Sequence, residues 1–150
     1  MTKILILNSE YTFTKYITLI AEYCGLEVVQ FNCTPDAQKY LQELSEPNQA
    51  PCAYFIEPLT YEAIYDIHRH ATPTTPLSLY LQAQEKGCDI TRFYALTNLI
   101  SRDETVGEHE TKIIRTFSPE EQKTWNTITK ISMMNLGKLT DTFYEISQLK

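Results

Sequence analysis

Glycine is scarce. The four in 150 residues stand at 25, 87, 107 and 137, so neither GxGxxG nor GxxxxGK[ST] can be written anywhere in the chain. Nucleotide enzymes that cradle phosphate on a glycine-rich loop are thereby excluded. Cys24, Cys33, Cys52 and Cys88 form no CxxC pair, which removes the usual redox and zinc spacings and leaves small buried hydrophobes with reduced thiols. Positive charge is in deficit, 13 Lys and Arg against 19 Asp and Glu for a net −6, so nucleic acid is not an expected partner. No apolar run approaches the ~20 residues that cross a bilayer, no basic-then-apolar leader opens the chain, and no GxSxG elbow occurs. A cytoplasmic chain with no membrane span is expected.

What is present is the composition of one globular domain, 43% hydrophobic and 21% charged in 17.4 kDa. Residues 3 to 7, Lys-Ile-Leu-Ile-Leu, make an apolar run too short for a helix and suited to a strand buried on both faces of a parallel sheet. From Thr12 to Cys24, apolar residues recur at helical spacing and Gly25 follows as a stop. Leu26 to Phe31 reads as strand two, and Thr34-Pro35-Asp36 opens helix two through Ala37, Tyr40, Leu41 and Leu44. Pro51 to Ile56 reads as strand three, and Thr60 caps a helix carrying Ala63, Ile64 and Ile67.

Further along, Pro73-Thr-Thr-Pro76 stops that helix and Leu77 to Leu81 reads as strand four. Arg92 to Ile100 reads as a helix, Ser101 to Thr111 as an exposed loop, and Lys112 to Phe117 as strand five. Ser118-Pro119-Glu120-Glu121 is a capping box with proline at the first helical position, opening one helix whose apolar stripe runs nearly to the chain end, with Gly137 as a point of bending or interruption. The alternation predicts an α/β fold: a doubly wound five-stranded parallel sheet with helices on both faces and an extended C-terminal helix. Residues 1–135 form the domain and 136–150 its helical extension.

In such a sheet, reactive groups gather beyond the carboxyl ends of the strands. Those ends carry Asn8-Ser9-Glu10, Glu57-Pro58, Gln82-Ala83 and Ser118-Pro119. The pattern resembles the receiver domain of bacterial response regulators, the CheY-like family, over residues 3 to 135. The resemblance implies a flavodoxin-like sheet and four strand-end features: an acidic pair that holds magnesium, a phosphoacceptor aspartate, a Thr or Ser followed by Ala, and a Lys-Pro pair. Here Asn8 and Ser9 replace the acidic pair, with Glu10 as a residual ligand, and Glu57 replaces the aspartate. Gln82, or Leu81 by a slip of one residue, stands at the hydroxyl position before Ala83. Ser118 replaces the lysine before Pro119, and Arg115 takes the place of a switching aromatic residue.

A phosphorylated carboxylate needs a divalent cation on fixed anionic oxygens and a further cation against the transferred charge. With the acids and the lysine replaced, no metal and no cofactor is expected. The expected function is a non-catalytic pseudo-receiver, a protein-interaction module of bacterial signalling and not an enzyme. Glu57 has two open readings: a permanent negative charge imitating a phosphoaspartate, or a rim carboxylate of no special role. The alternative function is a small-ligand binder or enzyme of another doubly wound family, using the crevice near Asn8, Ser9, Glu57 and Gln82.

For partners, Leu136, Leu139, Phe143 and Ile146 alternate three and four apart, the spacing of a coiled-coil or helix-in-groove seam. Two courses are open. The helix overhangs and, with Arg115 on the last strand, meets a protein partner or a second copy as a dimer; or it bends at Gly137 and folds over its own core. His68 and His70, two apart on a helix, point to different faces, and His109 between Glu108 and Glu110 lacks a companion at metal-ligand spacing. Among ten tyrosines, Tyr54 and Tyr80 suit buried strands, whereas Tyr11, Tyr61, Tyr65 and Tyr94 suit a contact surface.

Overall fold

In the computed structural model, which describes residues 2–69, 75–98 and 103–149, the first apolar run is strand β1 (Lys3–Leu7), with Ile4 to Leu7 all buried. Helix α1 (Tyr11–Tyr23) follows. Its cap is Glu10, whose carboxylate accepts the N–H groups of Thr12 and Phe13, both at 3.2 Å. Gly25, at φ +91°, takes the left-handed conformation that ends the helix. Strand β2 (Glu27–Phe31), helix α2 (Thr34–Glu43), strand β3 (Ala53–Ile56) and helix α3 (Tyr61–His68) fall where the sequence places them. Thr34 lies one residue inside α2, with Cys33 in the cap position. The segment 70–74, which holds His70 and the first half of the expected stop after α3, lies outside the described residues.

Beyond α3 the expected order is displaced. Leu77 to Leu81 is no strand but the start of helix α4 (Ser78–Glu85), with Leu79 and Ala83 one turn apart on the core side. The fourth strand is β4 (Phe93–Thr97), where a helix is expected from Arg92. Lys112 to Phe117 is no strand either: helix α5 (Glu108–Ile114) takes its first half, and Arg115 is the C-cap. The single long final helix is replaced by helix α6 (Pro119–Thr127), strand β5 (Thr129–Ser132) and helix α7 (Leu136–Ser147). The capping box does open α6, where Ser118 Oγ accepts the N–H of Glu121 at 3.3 Å. Three β-branched residues in succession, Thr127, Ile128 and Thr129, then disfavour a continued helix. Lys130 Nζ takes up two carbonyls near that end, Trp125 O at 2.6 Å and Ile128 O at 3.2 Å.

All strand pairs are parallel, in the order β2-β1-β3-β4-β5. Helices α1 and α7 cover one face, over Ile4, Ile6, Phe55, Leu96 and Ile131. Helices α2, α4, α5 and α6 cover the other, over Leu5, Leu7, Tyr54, Ile56 and Phe93. Between β3 and β4 one aromatic pair stacks on each face: Tyr54 on Phe93 at 5.0 Å, and Phe55 on Tyr94 at 4.8 Å.

The stripe offered to a partner is core. Leu139 and Phe143 are fully buried, Ile146 is 2% exposed, and the Phe143 ring meets Phe55 edge-on at 4.8 Å; Leu136, at the start of α7, is half-buried. The chain folds back, but by inserting β5 and not by bending at Gly137, which lies in the first turn of α7. Residues 136–147 therefore supply a covering layer of the domain. Ending the chain at Asn135 is expected to abolish the cooperative urea transition followed by circular dichroism. Phe143→Ala is expected to cost about 3–5 kcal/mol. A truncated chain that kept its transition would refute this.

Candidate functional site

Strand order reverses between β1 and β3, and a crevice beyond their carboxyl ends is where such sheets place ligands. Asn8 and Ser9 line it from β1, and Glu57 lines it from β3. Asn8 is fully buried; its Oδ1 accepts the N–H of Glu10 at 2.8 Å, and its Nδ2 lies 3.8 Å from Met133 Sδ. Ser9 Oγ donates to Glu57 Oε1 at 2.7 Å and accepts the Tyr61 N–H at 3.3 Å. The hydroxyl thus ties the two strand ends and the start of α3 together across the crevice.

Glu57 is 6% exposed. Burial pushes its carboxyl up to about 7, against the pull of the Ser9 hydrogen bonds and with a further push from the charges of Glu110 and Glu10. A group with that pKa stands between its two protonation states near neutrality, which counts against a permanent negative charge. Glu110 does not lie in an exposed loop. It sits on α5 at 3% exposure, Oε1 accepts the N–H of Asn98 at 2.7 Å, and Oε2 has no partner among the described residues. Burial raises its pKa as well.

The displaced strands change which residues meet here. Gln82 lies on α4, where its Nε2 donates to the Gln38 carbonyl at 2.8 Å, and Leu81 is exposed on the same helix. Ser118 caps α6 and Arg115 caps α5, so neither ends a strand. Strand four instead ends in Thr97, a buried hydroxyl residue followed by Asn98, and Met133 follows strand five beside Asn8. Of the expected pocket, Asn8, Ser9, Glu10 and Glu57 come together; Thr97, Met133 and Glu110 join them. The aromatic and apolar run Phe93-Tyr-Ala-Leu-Thr97 carried a strand signal that would have found Thr97. Nothing in the sequence marks Glu110 among its acidic neighbours.

The donor set fits magnesium poorly. An amide and a hydroxyl stand where two carboxylates are needed, Glu10 is engaged on backbone N–H groups, and Glu57 Oε1 is held by Ser9. No His, Cys, Asp or Glu group of three or more among the described residues is arranged to hold a metal. No described helix is long and apolar enough to cross a membrane.

Neither a family model nor a curated protein matches the sequence. Solved structures do match in fold. A response regulator receiver domain protein from Clostridium thermocellum is 12% identical with a TM-score of 0.56, covering 97% of this chain and 95% of that one. The receiver domain of the Francisella response regulator 1452 is 13% identical with a TM-score of 0.56, covering 99% and 100%. An adenylate cyclase from Rhodopirellula baltica is 8% identical with a TM-score of 0.59, covering 98% and 90%. The chain therefore has the receiver-like, flavodoxin-like fold, and the fold alone is shared.

Glu57 predicts a pH dependence of stability. Its folded pKa of about 7 lies above the ordinary 4.5, so its stabilising contribution is full below pH ~4.5 and is lost as pH rises through ~7. Glu57→Gln is expected to match the parent near pH 4 and to exceed it at pH 8 by on the order of 3 kcal/mol. Urea unfolding at the two pH values checks this; a variant less stable at both would refute it.

Proposed function

We propose that this chain is a receiver-like signalling module of the bacterial cytoplasm that acts by docking to another protein and does not take up a phosphoryl group through magnesium. The observation that carries this reading is the 2.7 Å bond from Ser9 to Glu57. One of the residues standing where a magnesium-binding acid belongs instead ties up the carboxylate at the phosphoacceptor position. A half-neutral, buried carboxyl is a poor nucleophile, and no cation stands within ion-pair distance of Glu57 or Glu110 among the described residues. At the end of strand five, Met133 offers a thioether where the family resemblance expects an ammonium.

Thr97 tempers the divergence, because a hydroxyl does remain at the end of strand four. The donor set beside it fits magnesium poorly, and Met133 stands where the resemblance expects the lysine. The bridge from Ser9 to Glu57 across the crevice counts against the reading as a small-ligand binder. With the α7 stripe committed to the core, the partner surface in this proposal is β5 with the helices beside it, where a second copy or a different protein would dock.

Incubation with acetyl phosphate and magnesium, read by intact mass, is expected to leave no stoichiometric phosphoryl adduct. An adduct absent from Glu57→Gln would overturn the reading. So would a magnesium-dependent change in Trp125 fluorescence that this variant lacks.

A further inference from the structure

Among the described residues the net negative chain has a cationic groove. A cleft of about 360 Å³ beside α5 is lined by Lys112 and Arg115 from that helix and by Lys130 from the edge strand β5, with Glu108 as its only carboxylate. Glu108 offsets little: it stands 3.9 Å from Lys112, and both side chains are well exposed. Arg115 and Lys130 have no carboxylate within ion-pair distance among the described residues.

Lys130 is also preorganised. Its Nζ lies 4.4 Å from the centre of the Trp125 ring and donates to the carbonyls of Trp125 and Ile128. An ammonium has three N–H donors, so one remains for a ligand. Gly107 holds this arrangement close: at φ +82°, a Cβ placed there would come within 3.0 Å of both Lys130 Cδ and the Trp125 ring. A second cleft, about 220 Å³, shares Thr111 and Arg115 with the first and adds the amides of Gln122 and Asn126. The two lie side by side along α5, cationic at one end and amide-bearing at the other.

We propose that this groove binds an extended acidic segment of the partner protein, its carboxylates meeting Lys112, Arg115 and Lys130 and its backbone lying toward Gln122 and Asn126. The inference rests on the docking role proposed above and names the chemistry of the partner. Elongation argues for a peptide, since a lone phosphate would engage only the cationic end. The local charge excess on a chain of net −6 argues for an acidic one.

Trp125 is the only tryptophan, so its fluorescence reports on the groove. Titration of the full chain with a capped hexaglutamate peptide is expected to give a saturable change that added salt weakens. The double variant Lys112→Glu, Arg115→Glu, both at exposed positions, is expected to weaken binding about tenfold or more. Lys15→Glu, at an exposed position of α1 on the opposite face of the sheet, is expected to leave it unchanged. A urea transition like the parent's confirms that the double variant is folded, and if that variant does not fold, Arg115→Gln alone serves with the same expected direction. No saturable change, or binding indifferent to these substitutions, overturns the proposal. Inorganic phosphate binding as tightly as the peptide does so too. A phosphoryl adduct at Glu57 would remove the docking role without touching this result, so the two readings fail separately.

Discussion

Strands β1 and β3 have no side toward water. Ile4 to Leu7 and Ala53 to Ile56 are all buried, and a parallel sheet of this kind persists only if each face receives its own helical layer. That requirement explains the fate of the carboxyl-terminal segment. Leu139, Phe143 and Ile146 have the spacing of an intermolecular seam, yet without them the face carrying Phe55 and Leu96 would be covered by α1 alone. The unmet need of the sheet captures the helix before any partner can.

The first half of the fold was legible in the sequence because each element there has punctuation of its own. Gly25 stops α1, Pro35 opens α2, and Thr60 precedes α3. The second half is not legible in this way, because short apolar runs do not distinguish a buried strand from one side of a helix. Leu77-Ser-Leu-Tyr-Leu81 alternates like a strand, but Leu79 and Ala83 face the core one turn apart. Trp125, Ile128 and Ile131 repeat at three-residue intervals like a helix, but the last of them lies in β5. The site inherited the same error. Asn8, Ser9 and Glu57, on correctly placed strands, were recognised, whereas Thr97 and Met133 were hidden by wrong assignments. Glu110 became visible only when folding buried it.

Three carboxylates crowd the strand ends without an ion pair among the described residues, and the structure manages them in three ways. Glu10 satisfies its oxygens on the free N–H groups of α1. Glu57 takes a hydroxyl donor from Ser9 and moves toward neutrality. Glu110 takes one backbone N–H, and burial raises its pKa. Each device substitutes locally for the positive charge that a metal-binding centre would import.

The aromatic pairs between β3 and β4 have a mechanical consequence. Because Tyr54 rests on Phe93 above the sheet and Phe55 on Tyr94 below it, sliding one strand along the other would have to unseat both stacks together. The middle of the sheet then behaves as a riveted plate, and displacement is left to the elements around its rim. Among these, α5 holds Glu110 against the strand ends and carries Lys112 and its cap Arg115 along the groove. One short lever is thereby common to both places.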